Sequence, residues 1–140
     1  LAKVAQLMWR QAPAVMAHEL FHHYRDAVGQ LGDDIWYEEL VANTLAVAYS
    51  ARYEPAALAG GVELASQVLA RADNQLSPRA EQELQSLLDP ARTHRPSRGY
   101  GLDLHQTALV QLAMIRKLAE APEELEQAVR RLLGARRAAA

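Results

Sequence analysis

The sequence predicts a mainly α-helical domain with little or no β-sheet, on three observations. Half of the residues are hydrophobic but only 6% are aromatic, and an apolar content made mostly of Ala, Leu and Val favours helix over strand. Prolines stand at positions 13, 55, 78, 90, 96 and 122, several of them where a helix would begin. Between them no segment reads as a strand, a repeat or a low-complexity tract. A chain of 140 residues has room for one domain, 1–140, with one core that buries roughly two-thirds of the unfolded surface.

Taken in order, helices are expected over 3–11, 13–29, 35–53, 55–72, 78–89, 103–120 and 122–133. Pro13, Pro55 and Pro122 open three of them, since proline is tolerated where the first turn has no partner for its N–H. Gly29 to Asp34 forms a short loop, and Pro90 to Leu102 the one long loop,. Ser77-Pro78 reads as an N-cap followed by proline, and Asp103 with Gln106 as a capping box. Met8, Trp9, Met16, Phe21 and Trp36 are expected in the core.

Composition excludes several kinds of function. The formal net charge is −2, so there is no basic field to attract nucleic acid, and no polyanionic substrate is implied. With no cysteine, disulfides, thiolate-held zinc and thiol catalysis are ruled out, and any metal must be held by His and carboxylate, which suits a catalytic ion better than a structural one. The longest apolar run, Val41 to Ala51, is interrupted by Asn43, Thr44 and Ser50 and is too short for a membrane span. The chain opens Leu1-Ala2-Lys3, as a processed product or a domain of a longer protein would, and a cytoplasmic location is expected.

The chemistry lies in His18-Glu19-Leu20-Phe21-His22. On a helix His18 and His22 are about 40° apart on one face, which lets both imidazoles reach one ion at about 2.0–2.1 Å. Glu19 between them does not ligate but faces the water that would fill an open coordination position. This is the His-Glu-x-x-His pattern of zinc hydrolases. A helix whose solvent face happens to carry histidines would look the same, so a third ligand is required.

Helix 35–53 supplies it. Leu40, Val41, Leu45, Val47 and Ala48 occupy most of its circumference, and a narrow polar stripe carries Glu39, Asn43 and Ser50. A carboxylate on an otherwise apolar helix must be paired or bound to metal, which makes Glu39 the third ligand, with a salt bridge to Arg25, Arg52 or another cation as the alternative. Glu38 lies about 100° off that stripe. Asn43, one turn after Glu39, can accept the second N–H of a ligating histidine and fix its ring. Ala42 and Ala46 allow the two helices to approach closely.

His18-Glu19-x-x-His22 followed by Glu39-x-x-x-Asn43 resembles the gluzincin clan of metallopeptidases, and Glu38-Glu39-Leu40-Val41-Ala42-Asn43 is similar to the Glu-x-x-Ala-Asn element of the small ImmA/IrrE-type regulatory peptidases. The resemblance covers about residues 14–50. It implies a zincin-like helical domain, with the His-Glu-x-x-His helix packed on the Glu-bearing helix, that hydrolyses a peptide or protein substrate by means of Zn2+. Members also carry a small sheet just before the metal helix, whereas residues 1–12 here read as helix. Either that sheet lies outside this sequence or the chain is not a standard peptidase.

Four further sites follow. Asp26, one turn after His22, can orient that ring or be an exposed helix-end carboxylate, and His23, about 100° away, is not expected to share the ion. Tyr100, between Gly99 and Gly101, is the candidate donor to a developing oxyanion, with His94 and His105 as alternatives and an ordinary glycine-rich turn as the plain reading. Arg92, Arg95 and Arg98 can hold a substrate carboxylate or form a solvated basic loop. The expected function is therefore zinc-dependent peptide hydrolysis with Glu19 as general base; the alternatives are a non-catalytic metal-binding or interaction module, and a helical protein with no metal.

Overall fold

Ala2–Ala27 form a single helix, α1, with Pro13 inside it; the computed structural model describes residues 2–97 and 99–134. The break expected before Pro13 does not occur. Proline removes one i→i−4 hydrogen bond and crowds the preceding turn, but the first half of α1 is tied to the rest of the fold by Gln11, whose Nε2 donates to the Ala57 carbonyl at 2.9 Å. The helix ends at Ala27 rather than at residue 29 because Gly29 takes a left-handed φ of 67°. Gln30 N–H reaches the Arg25 carbonyl at 2.8 Å and Gly29 N–H that of Asp26 at 2.9 Å, which is the paired closure that a glycine after the cap permits.

Ile35–Tyr53 form α2, which touches every other helix. Its N-cap is Asp34, whose Oδ1 accepts from Tyr37 N–H at 3.1 Å, and Pro55 opens α3, Pro55–Leu69. The expected extension of α3 to residue 72 is cut short where Asn74 Nδ2 donates to the Val68 carbonyl at 3.0 Å. Ser77 caps α4, Pro78–Leu88, by accepting from Ala80 N–H, and Asp103 caps α5, Leu104–Glu120, by accepting from Gln106 N–H. Gln106 does not complete a capping box: its side chain accepts from Ser77 N–H and donates to the Gln75 carbonyl, tying the α3–α4 connection to α5. Leu125–Gly134 form α6, three residues after the expected start at Pro122.

Two apolar clusters hold these helices together. Trp36, Ala80, Leu87, Val110 and Met114 join α2, α4 and α5, and Phe21, Val41 and Ala42 join α1 to α2. Phe21 and Trp36 are thus core, but Met8, Trp9 and Met16 are 70%, 80% and 62% exposed. α1 packs on α2 and α3, and Trp9 and Met16 lie outside that packing, along an open apolar groove whose other wall is Leu45, Tyr49 and Tyr53 of α2 and Leu125 and Val129. The long loop is ordered by one acid: buried Asp34 is paired with Arg92 and accepts from Arg95 N–H at 2.9 Å, and an isolated parallel bridge joins it to Ser97. Among the described residues that bridge is the only β pairing, and no helix is long and apolar enough to cross a membrane.

Candidate metal centre

The faces of α1 and α2 that meet are locked by an ion pair one turn beyond His22. Glu38 accepts from Arg25 Nε and Nη2 at 2.7 Å each, and from Gly32 N–H at 3.1 Å. With Glu38 turned toward Arg25, Glu39 is rotated about 100° onward and faces the two histidines. Arg25 therefore serves the neighbouring glutamate, and the charge contacts of Glu39 are with His18 and His22 when these are protonated.

Two imidazole nitrogens and the two oxygens of one carboxylate converge there. His18 Nε2 lies 3.1 Å from His22 Nε2, His18 Nε2 lies 3.4 Å from Glu39 Oε2, and His22 Nε2 lies 3.3 Å from Glu39 Oε1. Ligands about 2.0–2.1 Å from a tetrahedral zinc are about 3.3 Å apart along each edge of the tetrahedron. The two imidazole nitrogens are close to that separation, one carboxylate oxygen approaches each ring, and this donor chemistry suits a divalent ion: His18, His22 and Glu39 can hold a metal. Three protein donors leave a fourth position open, as catalytic zinc sites do.

Around the donors, each polar atom has a role. Asn43 is 3% exposed, and its Oδ1 is 3.0 Å from His18 Nδ1, on the side of the ring away from the donor cluster. Tyr100 Oη donates to Glu39 Oε1 at 3.2 Å. The phenol is held there by its own backbone and ring: Trp36 Nε1 donates to the Tyr100 carbonyl at 2.9 Å, and the two rings meet edge to face with centroids 4.9 Å apart. Sequence reasoning misses Gln111, on α5, whose Nε2 donates to Glu39 Oε2 at 2.6 Å while its Oε1 accepts from Asn43 Nδ2 at 2.5 Å. The available signal was a lone amide on the face of α5 that buries Thr107, Val110 and Met114.

Electrostatics follow from this packing. Burial acts to lower the His18 pKa, but the contact and charge of Glu39, with help from Asn43 and Glu19, raise it above its ordinary value. Burial likewise acts to raise that of Glu39, and the hydrogen bonds of His18 and Gln111 with the histidine charges bring it down. Burial, and then the Glu39 carboxylate, push Tyr100 up to about 12, so its phenol stays a proton donor at neutral pH.

The site forms one end of a half-open cavity of about 380 Å³ lined by α1, α2, α3 and α5. His18, Glu19 and Glu39 line that end, and Val47, Leu58, Leu64, Leu112 and Ile115 make the remainder apolar. Glu19 is exposed at the rim.

The other residues singled out in the sequence lie elsewhere. Asp26 is exposed, and its backbone carbonyl accepts from Gly29 N–H. His23 is exposed. His94 Nε2 sits 2.7 Å from Asp33 Oδ1, and His105 Nε2 is 2.9 Å from Asn74 Oδ1, so neither is drawn to the donor cluster. Arg92 is not solvated: its side chain is 7% exposed and paired with Asp34, because Asp34, as the buried N-cap of α2, needs a counter-charge. Arg95 extends to Ser86 Oγ, and Arg98 lies outside the described residues.

The chain matches no family model, no curated protein and no solved structure. Its chemistry is therefore read from the donor geometry and the residues around it.

Proposed function

We propose that the chain is a zinc-dependent peptide hydrolase, with the ion held by His18, His22 and Glu39. The observation that carries this reading is that His18, His22 and Glu39 each bring a ligand atom to one place, all within 4.8 Å of one another, with the imidazole nitrogens 3.1 Å apart and one Glu39 oxygen 3.3–3.4 Å from each ring. When bound, the ion supplies Lewis acidity, acidifying water and polarising a carbonyl. Glu19, at the rim of the same cavity, takes the proton of the attacking water and returns it to the leaving amine. Tyr100, kept protonated, offers its O–H to the oxygen that gains charge as the carbonyl becomes tetrahedral. The apolar remainder of the cavity receives a side chain of the peptide or protein substrate and excludes water from the reacting atoms.

One observation favours a second reading, an inert metal-binding module. Among the described residues the only β pairing is the Asp34–Ser97 bridge, so no strand edge stands beside the site to align a peptide backbone. Glu19→Gln separates the two. Under the first reading it retains zinc and lowers peptide hydrolysis by about 10²–10⁴-fold, measured on a mixture of unstructured peptides by mass spectrometry. Undiminished cleavage in Glu19→Gln, or none by the zinc-loaded wild type, contradicts the hydrolase reading.

A further inference from the structure

We propose that Gln111 is a positioning residue that dictates, through Asn43, which nitrogen of His18 carries the proton. This rests on the metal-site reading above. A carboxylate can only accept hydrogen bonds, so the Gln111 atom 2.6 Å from Glu39 Oε2 must be the amide nitrogen. Its oxygen is then the atom facing Asn43, at 2.5 Å, which requires Asn43 to present its Nδ2. The same nitrogen points at Met114 Sδ, 3.3 Å away and a weak acceptor,. Asn43 Oδ1 is thereby turned to His18 Nδ1 at 3.0 Å. An oxygen without hydrogen accepts only, so a neutral His18 must be protonated at Nδ1, which leaves the Nε2 lone pair free.

The relay opposes a local pull. Glu39 Oε2 lies 3.4 Å from His18 Nε2 and, left alone, would draw the imidazole proton to Nε2, where it blocks ligation. Glu39 also anchors the amide chain that prevents this, by way of Gln111 and Asn43. One carboxylate thus sets the direction of two amides and, at their far end, the tautomer of its fellow donor. The tautomer is fixed by a residue 72 positions away in sequence from Glu39, on a helix that provides no donor of its own.

The test uses the full chain, metal-free, with isotopically labelled histidine nitrogens, at alkaline pH where the imidazoles are neutral. Long-range proton–nitrogen correlation spectra report the His18 tautomer directly, and competitive titration reports zinc affinity. Wild type is expected to show Nδ1–H. Gln111→Met frees the Asn43 amide to turn over, so His18 shifts to Nε2–H and zinc binding weakens about 10–100-fold. Adding Asn43→Asp to Gln111→Met restores both, because a carboxylate accepts from Nδ1 at either oxygen and needs no orienting partner; a merely structural role for Gln111 would not be rescued this way. Nδ1–H retained in Gln111→Met, or no restoration in the double variant, overturns the proposal. Should Gln111→Met fail to fold, Gln111→Leu removes the same amide and must give the same shift to Nε2–H, and Nδ1–H retained there is equally fatal. A wild type that binds no zinc refutes the metal site, while the tautomer spectra still decide the relay.

Discussion

Removing the Glu38 carboxylate is expected to destabilise the fold severely and leave the metal site intact. Glu38 accepts three hydrogen bonds, two of them from the Arg25 guanidinium at 2.7 Å, and the Arg25 and Glu38 side chains are only 10% and 5% exposed. Glu38→Ala leaves a buried guanidinium without its counter-charge, a loss of about 3–5 kcal/mol. For a domain of this size each kcal/mol displaces Tm by roughly 3–5 °C. The expected fall is therefore about 10–25 °C, read by circular dichroism of the metal-free protein, while zinc affinity at a temperature where the variant is folded stays near wild type. Replacing both partners, Arg25→Met with Glu38→Leu, removes the stranded charge and should recover most of the loss. A Glu38→Ala Tm within about 2 °C of wild type, or zinc affinity lost in Glu38→Ala and kept in Glu39→Ala, would refute the division of labour between the two glutamates.

Three further outcomes follow from the site and its surroundings. The His18 pKa is raised above 6.5, and an imidazole must lose its proton to ligate, so zinc affinity should fall as pH is lowered through that raised value; a pH-independent affinity between 7 and about 5 argues against histidine donors. Tyr100→Phe should retain zinc and lower the hydrolytic kcat by about 10²–10³-fold, and unchanged turnover would remove Tyr100 from the mechanism. Asp34 is held below its ordinary pKa, burial being outweighed by Arg92 and by the N–H groups of Arg95 and Tyr37. Its folded value is therefore lower than its unfolded one, near 3.9, so its contribution to stability is present above about pH 4 and is lost as pH falls through the folded value. Asp34→Asn should flatten acid denaturation in that range, and an unchanged acid profile would show that other carboxylates govern it.

How much of this could be read beforehand depended on whether a feature was local. His18 and His22 share a face by helical spacing alone, and the polar stripe of Glu39 and Asn43 is visible because the rest of α2 is apolar. The Arg25–Glu38 pair and the Gln111 amide are not local: each links helices whose relative placement no periodicity encodes. Pro13 marks a helix start in isolation, yet packing of Gln11 on α3 carries α1 through it. Trp9 and Met16 are large and apolar, which reads as core, but much of any folded surface is apolar, and the groove they share with Leu45, Tyr49 and Leu125 is open. Arg92 sat in an apparently basic loop until the buried Asp34 claimed it.

His18, His22 and Glu39 are proposed to form one metal site. Titration of zinc into the metal-free chain against a chromophoric chelator tests it most directly, with Glu39→Ala in parallel. One equivalent of zinc bound by the wild type, with binding severely weakened in Glu39→Ala, is the predicted result; no zinc bound by the wild type, or equal affinity in Glu39→Ala, would contradict it.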